Sequence, residues 1–128
     1  MDSNNDKLEM VKNFIHSYNT FSLKGMIKDL HNDIKFQNIT NGHIDLETNG
    51  IEEFTKQAES AIDFFKERKA RIIDIKFNDD MVEVSIDYFG ILKKDIPDTL
   101  RFGETIKLKG KSIYKFKDNK IIAIQDKS

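Results

Sequence analysis

The sequence predicts an α+β domain: three N-terminal helices packed against a curved antiparallel sheet made by the rest of the chain. Before about residue 70, apolar residues recur mainly at helical spacing, in stretches separated by turn residues. After about residue 70 they alternate with polar residues, as the two faces of a strand do. The alternating stretches are divided by short polar turns, Asn78-Asp79-Asp80 and Lys117-Asp118-Asn119.

Residues 1–6 read as a polar, disordered tail, and 7–128 as one domain. Leu8, Val11, Ile15 and Tyr18 share one helix face, which Met10 and Phe14 widen; the helix should stop near Asn19. Ser22 is placed to cap a second, short helix carrying Leu23, Met26, Ile27 and Leu30. Residues 34–39 alternate as a strand, Thr40-Asn41-Gly42 is a turn signal, and 43–47 can return as a short strand. Thr48 or Asn49 is expected to cap a third helix with Phe54, Ala58, Ala61, Ile62 and Phe65 on one side. Glu67-Arg68-Lys69 should end that helix on its polar side, where cations suit the dipole. Strands follow at about 70–78, 81–92, 104–117 and 120–126. Residues 93–103 hold the one proline, Pro97, and are long for a hairpin loop; their apolar residues are expected to cap a pocket or pack across a dimer.

A chain of 128 residues, 38% hydrophobic and 34% charged, suits one core beneath a heavily charged surface. A net charge of −1 supplies no global field for nucleic acid or an anionic membrane. Without cysteine there is no disulfide, thiolate metal site or cysteine nucleophile. No stretch approaches the roughly 18 apolar residues of a membrane span, and the polar N-terminus is unlike a signal peptide, so the cytoplasm is expected. His16, His31 and His43 show no metal-ligand spacing, and there is no phosphate-cradling glycine loop or nucleophile elbow. No metal or cofactor is therefore expected. The lysine row at 107, 109, 111 and 115 lacks interleaved aromatics and reads as a solvated or dimer-facing sheet surface, not a nucleic-acid site.

Face parity identifies the inside of the sheet. Val82, Val84, Ile86 and Tyr88 share a face; so do Leu108, Gly110, Ser112, Tyr114 and Phe116; so do Ile122, Ile124 and Asp126. A three-residue final loop with Asn119 left-handed pairs Tyr114 with Ile122, Ser112 with Ile124 and Gly110 with Asp126. It is preferred to a two-residue loop, which sets Lys115 against Ile122. A symmetric hairpin about Pro97-Asp98 puts Ile86 opposite Gly110 and Asp87 opposite Lys109. The resulting row, Ile86–Gly110–Asp126, has room at its centre and a carboxylate at its end. Asp126 is the candidate acid or base, against the plainer reading of a solvated strand end. Asn38 and Tyr88 are candidate polarising groups. Tyr18, Ile86, Gly110, Ser112, Tyr114 and Ile124 complete the expected lining. The plainer readings are a satisfied buried amide for Asn38 and amphipathic core residues for the tyrosines.

Phe21-Ser22-Leu23-Lys24-Gly25-Met26-Ile27, Asp33-Ile34-Lys35-Phe36, Asn49-Gly50-Ile51-Glu52-Glu53-Phe54 and Ser112 to Ile122, in this order of elements, resemble the nuclear transport factor 2-like superfamily, above all its SnoaL-like and ketosteroid-isomerase-like members. The resemblance implies a cone: a strongly curved, mixed or antiparallel sheet wrapped around three helices, a cystatin-like α+β roll with a pocket at its open end. It also implies a last strand beside the first, bringing Asn38 near Asp126, and a homodimer through the outer sheet face. The isomerase catalytic positions fall on Asn38, Phe14 and Lys109, so steroid isomerisation by that set is not expected. The cyclases' His–Asp pair has its counterpart only in Asp126, with no histidine on the C-terminal strands. The expected function is binding of a small, largely apolar ligand between sheet and helices. The alternatives are an acid–base enzyme of isomerase, cyclase or dehydratase type and a dimeric protein-interaction module.

Overall fold

Val11, Phe14 and Ile15 are buried along one face of the first helix, α1 (Asn4–Asn19), as their spacing predicts. The structure, a computed structural model, describes residues 4–93 and 104–128. The expected loop at 93–103 therefore lies almost wholly outside the described residues, as do Met1 to Ser3. α1 ends in a Schellman turn: Ser22 N–H donates to the Ser17 carbonyl (2.8 Å) and Phe21 N–H to that of Tyr18 (3.3 Å). Phe21 occupies the left-handed position, φ 59°, where glycine is usual. Ser22 then caps α2 (Leu23–Ile27), its hydroxyl accepting from Gly25 N–H at 3.1 Å.

β1 (Leu30–Thr40) and β2 (His43–Asn49) form a hairpin around Asn41 and Gly42, both at positive φ. α3 spans Ile51–Ile62 and buries Phe54 and Ala58. Its cap is Gly50, φ 89°, without a side-chain bond; Thr48, a residue expected to cap it, is buried within β2. The strands β3 (Phe65–Asn78), β4 (Met81–Leu92), β5 (Thr105–Lys117) and β6 (Lys120–Lys127) follow. They build one six-stranded, curved, unclosed sheet in the order β2-β1-β6-β5-β4-β3. β1 and β6 are parallel and the other neighbours antiparallel. The helices cover its concave face, where Ile34, Val82, Val84, Ile121 and Ile124 are fully buried.

Two expectations about local structure are corrected. Glu67-Arg68-Lys69 is not the end of α3, which stops at Ile62; these residues belong to β3, where pairing with β4 from Phe65 onward overrides their helical propensity. The final loop is the two-residue one, with Asp118 and Asn119 both left-handed (φ 53° and 61°). A bulge at Ile122 then restores the inward parity. Ile121 and Ile124 are the buried pair, and the register moves by two residues: Tyr114 faces Ile124 and Ser112 faces Asp126. Ile86–Gly110 and Asp87–Lys109 pair as expected, although Asp87 holds its ion pair with Arg71 at 2.9 Å.

The room at Gly110 is already used. A Cβ there meets the Lys127 carbonyl oxygen at 2.5 Å, because the chain end runs beside it and bonds to β1 through Ser128 N–H and the Ile39 carbonyl (3.0 Å). Gly110→Ala is expected to cost about 2 kcal/mol through this overpacking. It should also displace the end of β6, seen as a lowered denaturation midpoint together with altered amide shifts at Gln125 to Lys127. Among the described helices none is long and apolar enough to cross a membrane.

Candidate functional site

Pleating sends alternate side chains of the six strands to the concave face. One row runs Leu46, Asn38, Asp126, Ser112, Val84 and Ile75, through Cα partners on β2, β1, β6, β5, β4 and β3. The next rows toward the open end are Gly110–Ile86–Ile72 and Leu108–Tyr88–Ala70. Beneath these rows, Tyr114, Ile124 and Val82 are sealed against α1 and α3. At the open end burial lessens although the side chains still point inward. Tyr18, Asn38, Tyr88, Ser112 and Asp126 are half-buried, and Leu108 is 43% exposed. These residues are less sealed than the rows beneath them.

Asp126 is the single carboxylate of its row. Its Oδ1 accepts a hydrogen bond from the Ser112 hydroxyl at 2.7 Å. Desolvation raises its pKa to about 6, and the Ser112 bond opposes that rise. Burial raises the Tyr18, Tyr88 and Tyr114 hydroxyls, and the negative charge of Asp126 adds to the rise in each, so all three lie within its electrostatic reach. Asn38, on β1, is its neighbour across the parallel ladder.

Within reach of its charge is a pair of phenols. Tyr18, on the last turn of α1, donates from its hydroxyl to that of Tyr88 on β4 at 2.8 Å. Burial is the main reason that both hydroxyls are held above the usual tyrosine range. Behind them lies Arg68, 2% exposed. Its guanidinium sits 3.7 Å from the Tyr18 ring centroid, 4.7 Å from that of Phe21 and 6.0 Å from that of Phe65. Its Nε donates to the Tyr18 carbonyl at 2.8 Å, and Nη2 approaches Met26 Sδ at 3.9 Å. Asn19 secures the same corner: its amide accepts from Ala70 N–H (2.7 Å) and donates to the Ala70 carbonyl (3.0 Å).

The structure thus draws Asp126, Ser112 and Asn38 into one row and joins Tyr18 and Tyr88 through their hydroxyls, within reach of the Asp126 charge. Ile86, 8% exposed, and the buried Tyr114 and Ile124 form the floor. Gly110 is packed by the Lys127 carbonyl. Ser112, expected as lining, is the direct partner of Asp126. Arg68 was not a candidate from sequence, since a charged triplet after a helical pattern gives no sign of an inward strand position. Among the described residues no group of three His, Asp or Glu side chains could hold a metal ion.

No protein-family model matches the chain, and no curated protein does. Solved structures do. A protein from Xanthomonas campestris pv. campestris, provisionally named a polyketide cyclase, superposes with a TM-score of 0.82 at 17% identity, over 97% of this chain and 90% of its own. A protein from Jannaschia sp. CCS1, provisionally named a SnoaL-like polyketide cyclase, gives 0.79 at 11% identity, over 98% and 88%. An NTF2-like protein of unknown function from Burkholderia pseudomallei K96243 gives 0.76 at 12% identity, over 94% and 88%. At such identities the likeness is one of fold.

Proposed function

From a chain with the nuclear transport factor 2-like fold of the SnoaL-like proteins, we propose that the open concave face binds a small, largely apolar molecule bearing a carbonyl, and that Asp126 exchanges a proton with it. One observation carries this reading: the single carboxylate of its row on the concave face, desolvated to a pKa of about 6 and held by Ser112. As a base, ionised Asp126 takes a proton from the carbon next to the carbonyl. The carbon–hydrogen electron pair moves into the new carbon–carbon double bond, and the carbonyl π pair moves onto oxygen, which accepts a hydrogen bond from Tyr88. Asn38 orients the ligand from the other side. The names of the structural neighbours, provisional cyclases among them, suit a carbonyl ligand.

The test uses 2-tetralone, an enolisable cyclic ketone. Saturable NMR shifts are expected at Asn38, Tyr88 and Asp126, together with protein-dependent exchange of its α-protons in D2O. Because the base must be ionised, exchange should rise as pH passes through about 6 and then level. Shifts without exchange leave a binding domain only; no saturable shift at these residues defeats the pocket reading altogether.

We place the protein in the cytoplasm. The homodimer is proposed through the outer sheet face, where Phe89, Ile113 and Ala123 lie among the lysines. Sedimentation at a mass near 14.9 kDa excludes it.

A further inference from the structure

We infer that Arg68 is a positioning residue which, through the Tyr18–Tyr88 hydroxyl pair, tunes the pocket for ligands that carry negative charge on oxygen, namely enolates and phenolates. The inference rests on the pocket reading above and deepens it.

An arginine that is 2% exposed ordinarily has a carboxylate beside it, because an unpaired buried charge is costly. Among the described residues Arg68 forms no ion pair. It is held instead by the Tyr18 carbonyl, a thioether and three aromatic rings. One of those rings belongs to Phe21, the left-handed residue of the Schellman turn that ends α1. Tying α1 to β3 does not require a charge: a glutamine reaches the same carbonyl at less desolvation cost. The cation makes sense if negative charge appears nearby during function.

The geometry says where. The guanidinium lies over the Tyr18 ring, and the Tyr18 hydroxyl donates to that of Tyr88, leaving the Tyr88 proton free to face a ligand oxygen. Arg68 and Asp126 are the two charged groups whose fields reach both hydroxyls. When Asp126 accepts a proton its charge disappears, and an equal charge arises on the ligand oxygen, on the side where Arg68 stabilises it. The total charge of the pocket does not change; it moves toward the cation.

The test binds 2-naphthol to Asp126→Asn, which keeps that position neutral as the protonated base is, and follows ionisation of the bound naphthol by fluorescence. Bound naphthol is expected to ionise at least about one pH unit below free naphthol, a tenfold gain. Arg68→Gln in the same background should remove most of that gain, while Arg68→Lys retains part of it. Methoxynaphthalene, which cannot ionise, should bind all three alike. If Arg68→Gln does not fold, Tyr88→Phe serves, since it cuts the link with the guanidinium in place and must also lose the gain. Naphthol that ionises as it does in water, or a gain that survives Arg68→Gln, overturns the inference while leaving the pocket intact. Failure of methoxynaphthalene to bind overturns the pocket reading, and this one with it.

Discussion

Asp126→Asn is expected to yield a protein that is more stable than the parent at pH 8, equally stable near pH 3.5, and inactive in proton exchange. The stability effect follows from linkage. Asp126 titrates at about 6 in the folded chain against an ordinary value of 3.8, so between these values the native state binds more protons than the unfolded state. Stability therefore falls as pH rises from about 4 to about 6, then stays lower. The full shift corresponds to about 3 kcal/mol, which partial exposure of the residue reduces to about 2. Asparagine removes the titration but still accepts the Ser112 hydrogen bond, so the folded geometry survives. Chemical denaturation of both proteins at the two pH values checks this: the difference should be absent in acid and present in base. Parallel behaviour at both values means that Asp126 is solvated as an ordinary strand end. The functional effect has the opposite sign. Loss of a positioned base typically costs on the order of 10² to 10⁴ in rate. A residue that lowers stability at working pH and raises it when removed is the pattern expected of a site kept for chemistry, not for folding.

How much of this was legible in the sequence depends on whether a feature leaves a periodic trace. The β4–β5 register did, because parity and hairpin symmetry both put Ile86 opposite Gly110, where they are found. Asp126 stood out for the same reason, as an acid in phase with apolar residues. The bulge at Ile122 left no trace: it inserts one residue where four consecutive apolar side chains, Ile121 to Ile124, make either parity plausible, and parity alone favoured the wrong loop. Its consequence was a partner exchange, Ser112 for Gly110, which turned an empty neighbour of the carboxylate into a hydrogen-bond donor. Tyr18 and Tyr88 each carried a signal as inward aromatics, but their hydroxyl contact joins positions 70 residues apart and depends on the angle at which α1 crosses the sheet. Arg68 was hidden most completely. Local composition placed it on a solvated helix end, and only the long β3–β4 ladder turned it inward.

The close approach of α2 to α1, the helix that carries Tyr18, depends on a glycine, and Gly25→Ala is expected to destabilise the protein by about 3 kcal/mol. α2 follows α1 so closely that a Cβ on Gly25 would collide with the Ser17 hydroxyl and meet the Ser17 Cβ at 2.9 Å and the capping Ser22 hydroxyl at 3.0 Å. Rotating Ser17 moves its oxygen but not its Cβ, so the helices must separate. Neither neighbour is free to yield. Ser17, 4% exposed, supplies the carbonyl of the Schellman turn, and Ser22 caps α2. Asn13 also bridges the pair, donating to the Gly25 carbonyl at 3.1 Å and to Asp29 at 3.2 Å. Because Tyr18 follows Ser17 directly, displacing α2 should disturb the Tyr18–Tyr88 contact and weaken 2-tetralone binding as well as stability. A double-mutant cycle separates the collision from other causes. Ser17→Gly removes the opposing Cβ at the cost of a helix-interior glycine, roughly 1 kcal/mol. Combined with Gly25→Ala, it should return most of the lost stability, giving a favourable coupling of at least about 1 kcal/mol. Strict additivity of the two substitutions would mean that the helices already have room, and that the close crossing is not what orients Tyr18.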